Sequence, residues 1–497
     1  MDPVDLGSFI NGRFEKISHP EGEFLSLNPT NPDEILGIFS YSKTSVDHAI
    51  EAAKKAFPSW AALKQELRLS YLEKFSEIIS KNQSNLSHII SKEIGKPLWE
   101  ANQELTSVRN KFSITMNQGM RLIEHFSIPL KDKTIKGTCH FKPRGPLAVI
   151  APFNFPLHLA LGHIIPALAT GNTVILKPSE MAPKISQNLC KIVEQAHFPP
   201  GVFNMVQGEA AIGKYLCEHE YIKGVLFTGS YKVGNSIAKI LVDHPQKILA
   251  LEMGGKNTSL IWEDADLKQA ASLTLQSATI TTGQRCTGTS KLLVHEKIWP
   301  NLKPLLINGA SQIQIGDPFD DHTFMGPIVN ENAKNRFYEI QEKAKSIGAK
   351  SLLSPRKQLP KKGYFVYPTL HFLENFDPKN SYCDHEFFAP DLAIYLVKDL
   401  SEAIQKIEAS RYGLSVSIFT KSKKIFNEAF AQITAGVINW NRPTTGASSQ
   451  LPFGGQKASG NDFPTALFAP YYCTYPVSSM MNETANTLDS FPGFPVF

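Results

Sequence analysis

Apolar residues recur at helical intervals from Thr44 to about Phe126, and the stretch "TSVDHAIEAAKKAF" opens that region with Thr44 and Asp47 in capping-box spacing. Pro97, two residues after Gly95, interrupts the pattern. The texture then changes to short apolar runs ending in Gly or Pro: "PLAVIAPF", "NTVILKP", "VFNMVQG", "KGVLFTG" and "KILALEMGG". Helix-like stretches such as "EMAPKISQNLCKIVEQA" separate them. Strands alternating with helices predict an α/β protein built on a doubly wound parallel sheet. A second alternating series runs from "NTSLIWEDADL" through "VINWNRP", so a second α/β domain is expected to begin near Gly255.

A chain of 497 residues is long enough for two or three domains with buried cores. Its 51 basic and 46 acidic residues are spread without a basic block, so nucleic acid is not the expected partner. The opening "MDPVDLGSFINGRFE" has acidic residues where a signal peptide is basic, and no run of 18 apolar residues follows. The expectation is a cytoplasmic protein without a membrane partner. Six cysteines, at 139, 190, 217, 286, 383 and 473, lie far apart with no C-x-x-C pair. That spacing argues against a disulfide framework and against a metal site, and leaves at least five as ordinary buried thiols.

Ligands of an open parallel sheet sit at the carboxyl ends of its strands. Polar residues and glycines cluster there: Asn154 after the first run, Lys177 after the second, Gly229 and Ser230 after the fourth, Glu252 in the fifth. The G-x-G-x-x-G fingerprint is absent, and "GSYKVGNS" has P-loop glycine spacing with Asn235 where the phosphate-binding lysine belongs. A kinase or ATPase reading fails on that residue. Gly229 and Ser230 are compatible with a pyrophosphate at a helix N-terminus and equally with a plain strand-to-helix turn. In "TTGQRCTGTSK", Cys286 stands among hydroxylic residues beside Arg285; from the segment alone, a buried structural thiol is the favoured reading over a nucleophile.

Seven segments in order, "PFNFPLHLA", "GNTVILKPSE", "FTGSYKVG", "LEMGGKN", "GQRCTG", "HEFFAP" and "LPFGGQKASGN", resemble the aldehyde dehydrogenase superfamily across nearly the whole chain. "NWNRPTTGASSQLPFGGQKASGN", "LGHIIPALATGNT" and "KILALEMGG" resemble its subfamily acting on N-succinylglutamate 5-semialdehyde in arginine degradation. The resemblance implies a Rossmann-like NAD-binding domain (1–126 and 146–254), a catalytic domain (255–445), and an oligomerisation arm with a C-terminal tail (127–145 and 465–497). A dimer or higher homo-oligomer is expected. It also reverses the reading of Cys286, which becomes the nucleophile toward an aldehyde. Asn154, otherwise a turn residue before Pro156, becomes an oxyanion donor with the Cys286 backbone N–H, and Glu252 the general base for hydrolysis of a thioester.

For the cofactor, the resemblance places Lys177 and Glu180 on the adenosine ribose, Gly229, Ser230 and Gly234 in the phosphate turn, and Glu386 and Phe388 on the nicotinamide ribose. A carboxylate at Glu180 accepts from both ribose hydroxyls and repels a 2′-phosphate, so NAD is expected over NADP. By analogy with glutamate-semialdehyde dehydrogenases, Thr287 and the Gly446-Ala447 loop, with Ser448 and Ser449 alongside, form an anion nest for the substrate α-carboxylate. Arg442 is a candidate for the succinyl carboxylate or a surface arginine; Phe453 lines the tunnel or packs. Ala389 and Gln456-Lys457 depart from the family, which commonly has glycine at the first position and an apolar-Gly pair at the second. Rival readings are a dehydrogenase of glutamate 5-semialdehyde or another ω-semialdehyde, and a catalytically silent protein of the same fold. A CoA-acylating enzyme has no use for Glu252.

Overall fold

The computed structural model describes residues 5–131, 134–353, 359–461, 463–482 and 492–495. Of the expected segments, positions 1–4, 132–133, 354–358, 483–491 and 496–497 lie outside the described residues.

The helical pattern after Thr44 folds as Lys43–Ala62, Gln65–Lys81, Gln83–Ile94 and Leu98–Ile114. The first of these starts earlier than the capping-box spacing predicts. Ser42, in extended backbone, is its N-cap and accepts from Ser45 N, while Thr44 is already inside the helix. Gly95 closes the third helix in the left-handed region at φ +80, and Pro97 leads into the fourth.

The short apolar runs become one seven-stranded sheet in the order Ile248–Met253, Gly224–Gly229, Pro146–Ile150, Thr173–Lys177, Phe203–Met205, Ser8–Ile10, Arg13–Glu15. The first five strands are parallel, as the alternation predicts. The last two are short antiparallel edge strands that the sequence pattern does not announce, and Gly22–Asn28 with Asn31–Tyr41 adds a separate hairpin. From Pro146–Ile150 the chain winds outward through Thr173–Lys177, then returns to the other side with Gly224–Gly229. The crevice at that reversal lies between the loops after Ile150 and Gly229, where doubly wound sheets bind ligands.

A second seven-stranded sheet has the order Lys350–Ser351, Thr369–Phe372, Asp391–Val397, Thr289–His295, Asn257–Ile261, Ser415–Phe419, Val437–Trp440. Only its first strand is antiparallel. A three-stranded sheet joins Thr474–Asn482, Ile135–Pro143 and Phe126–Pro129, and leaves Phe126, Ile128 and Met480 exposed. Among the described residues no helix is long and apolar enough to cross a membrane.

Asn172 joins three of these parts from a fully buried position. Its Oδ1 accepts from Arg144 N (2.8 Å) and Gly145 N (3.0 Å) at the entry to strand Pro146–Ile150. Its Nδ2 donates to Ala167 O, to Thr170 Oγ1 and to Cys473 O (2.9 Å), binding a helix end and the tail to that entry. Truncation leaves several buried backbone groups without partners. Asn172→Ala is expected to lower unfolding stability by about 3 kcal/mol, read in urea denaturation; a loss near zero contradicts this role.

Candidate active site

Thr281, Thr282 and Gly283 hold three successive left-handed backbones, at φ +55, +54 and +70. For the two threonines this conformation costs roughly 1–2 kcal/mol each, so the surroundings must impose it. The buried Glu100 carboxylate does so by accepting from Thr281 N (3.2 Å), from Thr281 Oγ1 and from Arg285 Nη2 (2.8 Å). Arg285 Nε closes the loop onto Thr281 Oγ1 at 2.7 Å. Thr282 Oγ1 donates to Gly326 O, and Gln284 Oε1 accepts from Val329 N. A Cβ on Gly283 would strike the backbone of Ala389, so the cysteine segment and the "HEFFAP" segment run in direct contact.

The far side of Cys286 is equally fixed. Asn257 Nδ2 donates to Cys286 O (2.7 Å) and to Gly288 O (2.9 Å), and Thr444 Oγ1 donates to Thr287 O (2.6 Å). Asn154 reaches the same segment from the loop after Pro146–Ile150, its Nδ2 donating to Gln284 O at 2.8 Å. That bond uses one amide hydrogen and leaves the second free, on a side chain already oriented by the cysteine loop.

The Asn154 loop is anchored by Glu104, one turn along the helix from Glu100. Its Oε1 accepts from Leu157 N and His158 N, both at 3.0 Å, and its Oε2 from Lys96 Nζ at 2.6 Å. Both partners of the Lys96–Glu104 pair are completely buried. Glu93 repeats the device, accepting from Lys184 N (2.8 Å) and Ile185 N (2.9 Å) at the start of helix Pro183–Ala196, just beyond Lys177 and Glu180. The sequence reading missed all three glutamates of "SKEIGKPLWEANQEL". The available signal was Glu100 and Glu104, four apart, flanking the apolar stripe Ala101, Leu105 and Val108 of one helix.

Glu252, in the strand Ile248–Met253, is fully buried and neither carboxylate oxygen meets a hydrogen-bond donor. Burial holds its pKa well above the usual carboxylate range; Lys111 opposes that and Glu386 adds to it. The Glu386 carboxylate packs onto Gly254, where a Cβ would overlap it, and accepts from Gly255 N at 3.3 Å. Burial pushes its pKa up to about 8, against the pull of the Gly255 N–H and Lys256. The Lys256 ammonium has no hydrogen-bond partner and stands 4.4 Å from the centre of the Phe387 ring. Cys286 is half-buried; desolvation, then the charges of Glu252 and Glu386, push its thiol up, while the Thr287 N–H and Arg285 pull it down. The cluster therefore combines a protonated thiol with two carboxyl groups whose proton affinity is raised by burial.

At the crevice, Ser230 caps helix Tyr231–Leu241, its side chain accepting from Val233 N. Gly234 is buried in that helix, where a Cβ would overlap Met253 Sδ, so its place is the contact between helix and strand. Lys177 Nζ donates to Pro178 O (2.7 Å) and lies 3.6 Å from Glu180 Oε2. Burial lowers the Lys177 pKa and Glu180 partly restores it. Phe388 has φ +57 and its ring meets that of Phe153 edge-on at 5.9 Å.

The expected substrate residues are less gathered. Thr287 is buried beside Cys286, whereas Arg442, Gly446, Ala447 and Ser448 are exposed, with Gly446 at φ +80. Thr444 ties their loop to Thr287 and, through its hydroxyl, to Ser277 and Thr289. Phe453 is half-buried on a two-residue strand paired with Thr465–Ala466. Lys457 has φ +55, a left-handed backbone that favours glycine. Here the strained lysine is held by its ammonium on Glu408 O (3.1 Å) and on the Glu408 carboxylate (3.0 Å).

Comparison with known proteins gives a consistent result. The aldehyde dehydrogenase family model matches residues 17–469. The chain is 36% identical to the N-succinylglutamate 5-semialdehyde dehydrogenase of Enterobacter sp. strain 638 over 463 residues, 93% of this chain and 92% of that one. It is 38% identical to the enzyme of the same name from Novosphingobium aromaticivorans over 437 residues, 87% and 91% of the two chains. Among solved structures, 1-pyrroline-5-carboxylate dehydrogenase from Thermus with bound NAD superimposes with a TM-score of 0.90 at 27% identity, covering 96% of this chain and 93% of that one.

Removing the Glu100 carboxylate frees the left-handed turn before Cys286 and leaves Arg285 unpaired. Glu100→Ala is expected to destabilise the fold by about 3 kcal/mol and to slow single-turnover oxidation by about a hundredfold. An unchanged single-turnover rate in the folded variant detaches Glu100 from the placement of Cys286.

Proposed function

The chain belongs to the aldehyde dehydrogenase family, and from that premise we propose that it oxidises N-succinyl-L-glutamate 5-semialdehyde to N-succinyl-L-glutamate with NAD. The observation that carries the chemistry is the cluster of the buried Glu252 with the half-buried Cys286 and Glu386, with the Asn154 amide oriented by the cysteine loop. The substrate rests on relatives of that name at 36% and 38% identity over most of their length.

The residues at the crevice fit a nicotinamide dinucleotide. The first N–H groups of helix Tyr231–Leu241 face an open turn at Gly229 and Ser230, suited to a pyrophosphate, and Lys177 with Glu180 offers a cation and a carboxylate to a ribose. Glu386 lies against the loop after Glu252 and Phe388 against Phe153, and both suit the second ribose. When bound, the dinucleotide supplies the hydride acceptor.

Cys286 passes its proton to solvent and its sulfur adds to the aldehyde carbon. The oxyanion so formed takes the free amide hydrogen of Asn154 and the Cys286 backbone N–H, donors each worth roughly a hundredfold in rate. As the carbonyl re-forms, the aldehyde C–H bond breaks and a thioester remains on Cys286. Glu252 then takes a proton from water, the oxygen adds to the thioester carbon, and the carbon–sulfur bond breaks to release the carboxylate and restore the thiol. The raised proton affinity of Glu252 makes it a stronger base once ionised, so deacylation accelerates as pH rises through its pKa.

The exposed Phe126, Ile128 and Met480 of the three-stranded sheet support a homo-oligomer, at least a dimer, which a size measurement in solution tests. The substrate reading is tested by the rate of cofactor reduction with succinylglutamate semialdehyde, glutamate semialdehyde and succinic semialdehyde at matched concentrations. The first is expected to give the highest kcat/KM, and a higher value for either of the others overturns it.

Glu252→Gln keeps the shape and removes the base. It should give a burst of reduced cofactor close to one per active site, slow turnover afterwards and an acyl adduct on Cys286 in the intact mass; steady turnover at the wild-type rate means another residue activates the water. Glu180→Ala removes the ribose acceptor and the repulsion of a 2′-phosphate. The ratio of NAD to NADP efficiency is expected to fall by about tenfold or more, and an unchanged ratio places cofactor choice elsewhere.

A further inference from the structure

Lys111, in the last turn of helix Leu98–Ile114, is only 5% exposed. Its ammonium is pressed against Gly162 of helix His158–Ala169, where a Cβ would stand 2.7 Å from Nζ. Among the described residues no hydrogen bond or ion pair reaches that ammonium. Burial lowers its pKa to about 8 and Glu252 raises it, which places the lysine within electrostatic reach of the catalytic carboxylate.

One turn before Gly162 on the same helix, His158 presents a buried Nδ1 without a partner. Its ring is 6.1 Å from that of Phe155, which in turn has Lys96 Nζ at 3.7 Å and the Arg285 guanidinium at 4.9 Å from its centre. Glu104 balances Lys96 and Glu100 balances Arg285, each in direct contact. Lys111 has no such partner. Burial, then the charges of Lys111, Lys96 and Arg285, hold the His158 pKa well below its usual value, so the imidazole is neutral and can donate from one ring nitrogen. The adjacent His163 has no such capacity, since Tyr472 Oη (2.8 Å) and Thr228 Oγ1 (2.9 Å) occupy both its nitrogens. Thr228 lies directly opposite Glu252 in the sheet, which brings this helix face alongside the catalytic carboxylate.

A buried ammonium with no direct ion-pair partner, packed one helical turn from a free imidazole nitrogen, is a receptor for a paired-oxygen anion. It begins four residues after Asn154, on the helix that continues the oxyanion loop. We infer that Lys111 and His158 receive one carboxylate of the aldehyde substrate. The inference rests on the reading that the substrate is a carboxylated semialdehyde. That substrate has two carboxylates, and the exposed Gly446–Ser448 loop remains the candidate for the other.

The test compares wild type with Lys111→Met, both with NAD, on succinylglutamate semialdehyde, glutamate semialdehyde and butanal. Lys111→Met is expected to lower the ratio of kcat/KM for the two acidic aldehydes over butanal at least tenfold, chiefly through KM. Gly162→Ala, whose Cβ displaces the ammonium, should move the ratio in the same direction. Equal losses on acidic and uncharged aldehydes, or no change in the ratio, overturn the inference. So does an upward shift in the acid limb of kcat for butanal at constant selectivity, which makes Lys111 a counter-charge for Glu252 alone. A wild-type enzyme that prefers glutamate semialdehyde to its succinyl derivative overturns the substrate reading, while the acidic-to-uncharged ratio still decides the role of Lys111.

Discussion

Three buried carboxylates within fifteen residues, Glu93, Glu100 and Glu104, set the geometry of everything around the site. Each is spent on backbone N–H groups that have no partner in a strand or helix ladder: at the start of a helix for Glu93 and Glu104, and in a left-handed turn for Glu100. A buried carboxylate is stable only where such donors or a cation complete its shell. The requirement works in both directions. The loops carrying Glu180, Asn154 and Cys286 are held in place by acids that would themselves be untenable without those loops.

Against this, Glu252 is the exception. It is as buried as the three structural glutamates, yet no donor reaches it. Burial raises the proton affinity of Glu93 too, but there the Ile185 and Lys184 N–H groups and Ser26 oppose it, whereas no hydrogen bond opposes it at Glu252. Glu386 falls between, with one long bond from Gly255 N and a pKa pushed up to about 8.

The parallel sheets were legible because apolar runs bounded by glycine and proline repeat with helices between them, whereas the roles expected of Cys286, Asn154 and Glu252 came from the family resemblance, since each residue alone also reads as a buried thiol, a turn residue or a strand-end carboxylate. Ser8–Ile10 and Arg13–Glu15 were not legible, being three residues each, too short to show a period. The Ser42 cap escaped because Thr44 offers the same chemistry two positions later and only backbone conformation distinguishes them. Glu100 and Glu104 escaped for a different reason: their partners are 181 and 53 residues away, and a carboxylate on a helix edge reads as solvated until the loop that covers it is known. Lys457 shows the limit from the other side. The lysine is visible in the sequence, but its left-handed backbone and the Glu408 contacts that hold it are not.

The links from Tyr472 to His163 and from Cys473 to Asn172 span 309 and 301 residues. They also have a consequence for how the protein is made. At roughly 5–20 residues per second, a ribosome needs on the order of 15 to 60 s to travel that far. Throughout that interval Asn172 lacks only its Cys473 acceptor, and His163, joined to Thr228, the neighbour of Glu252, is still open at its other ring nitrogen. The nascent first sheet therefore lacks these two closing bonds until residues 472 and 473 have been made.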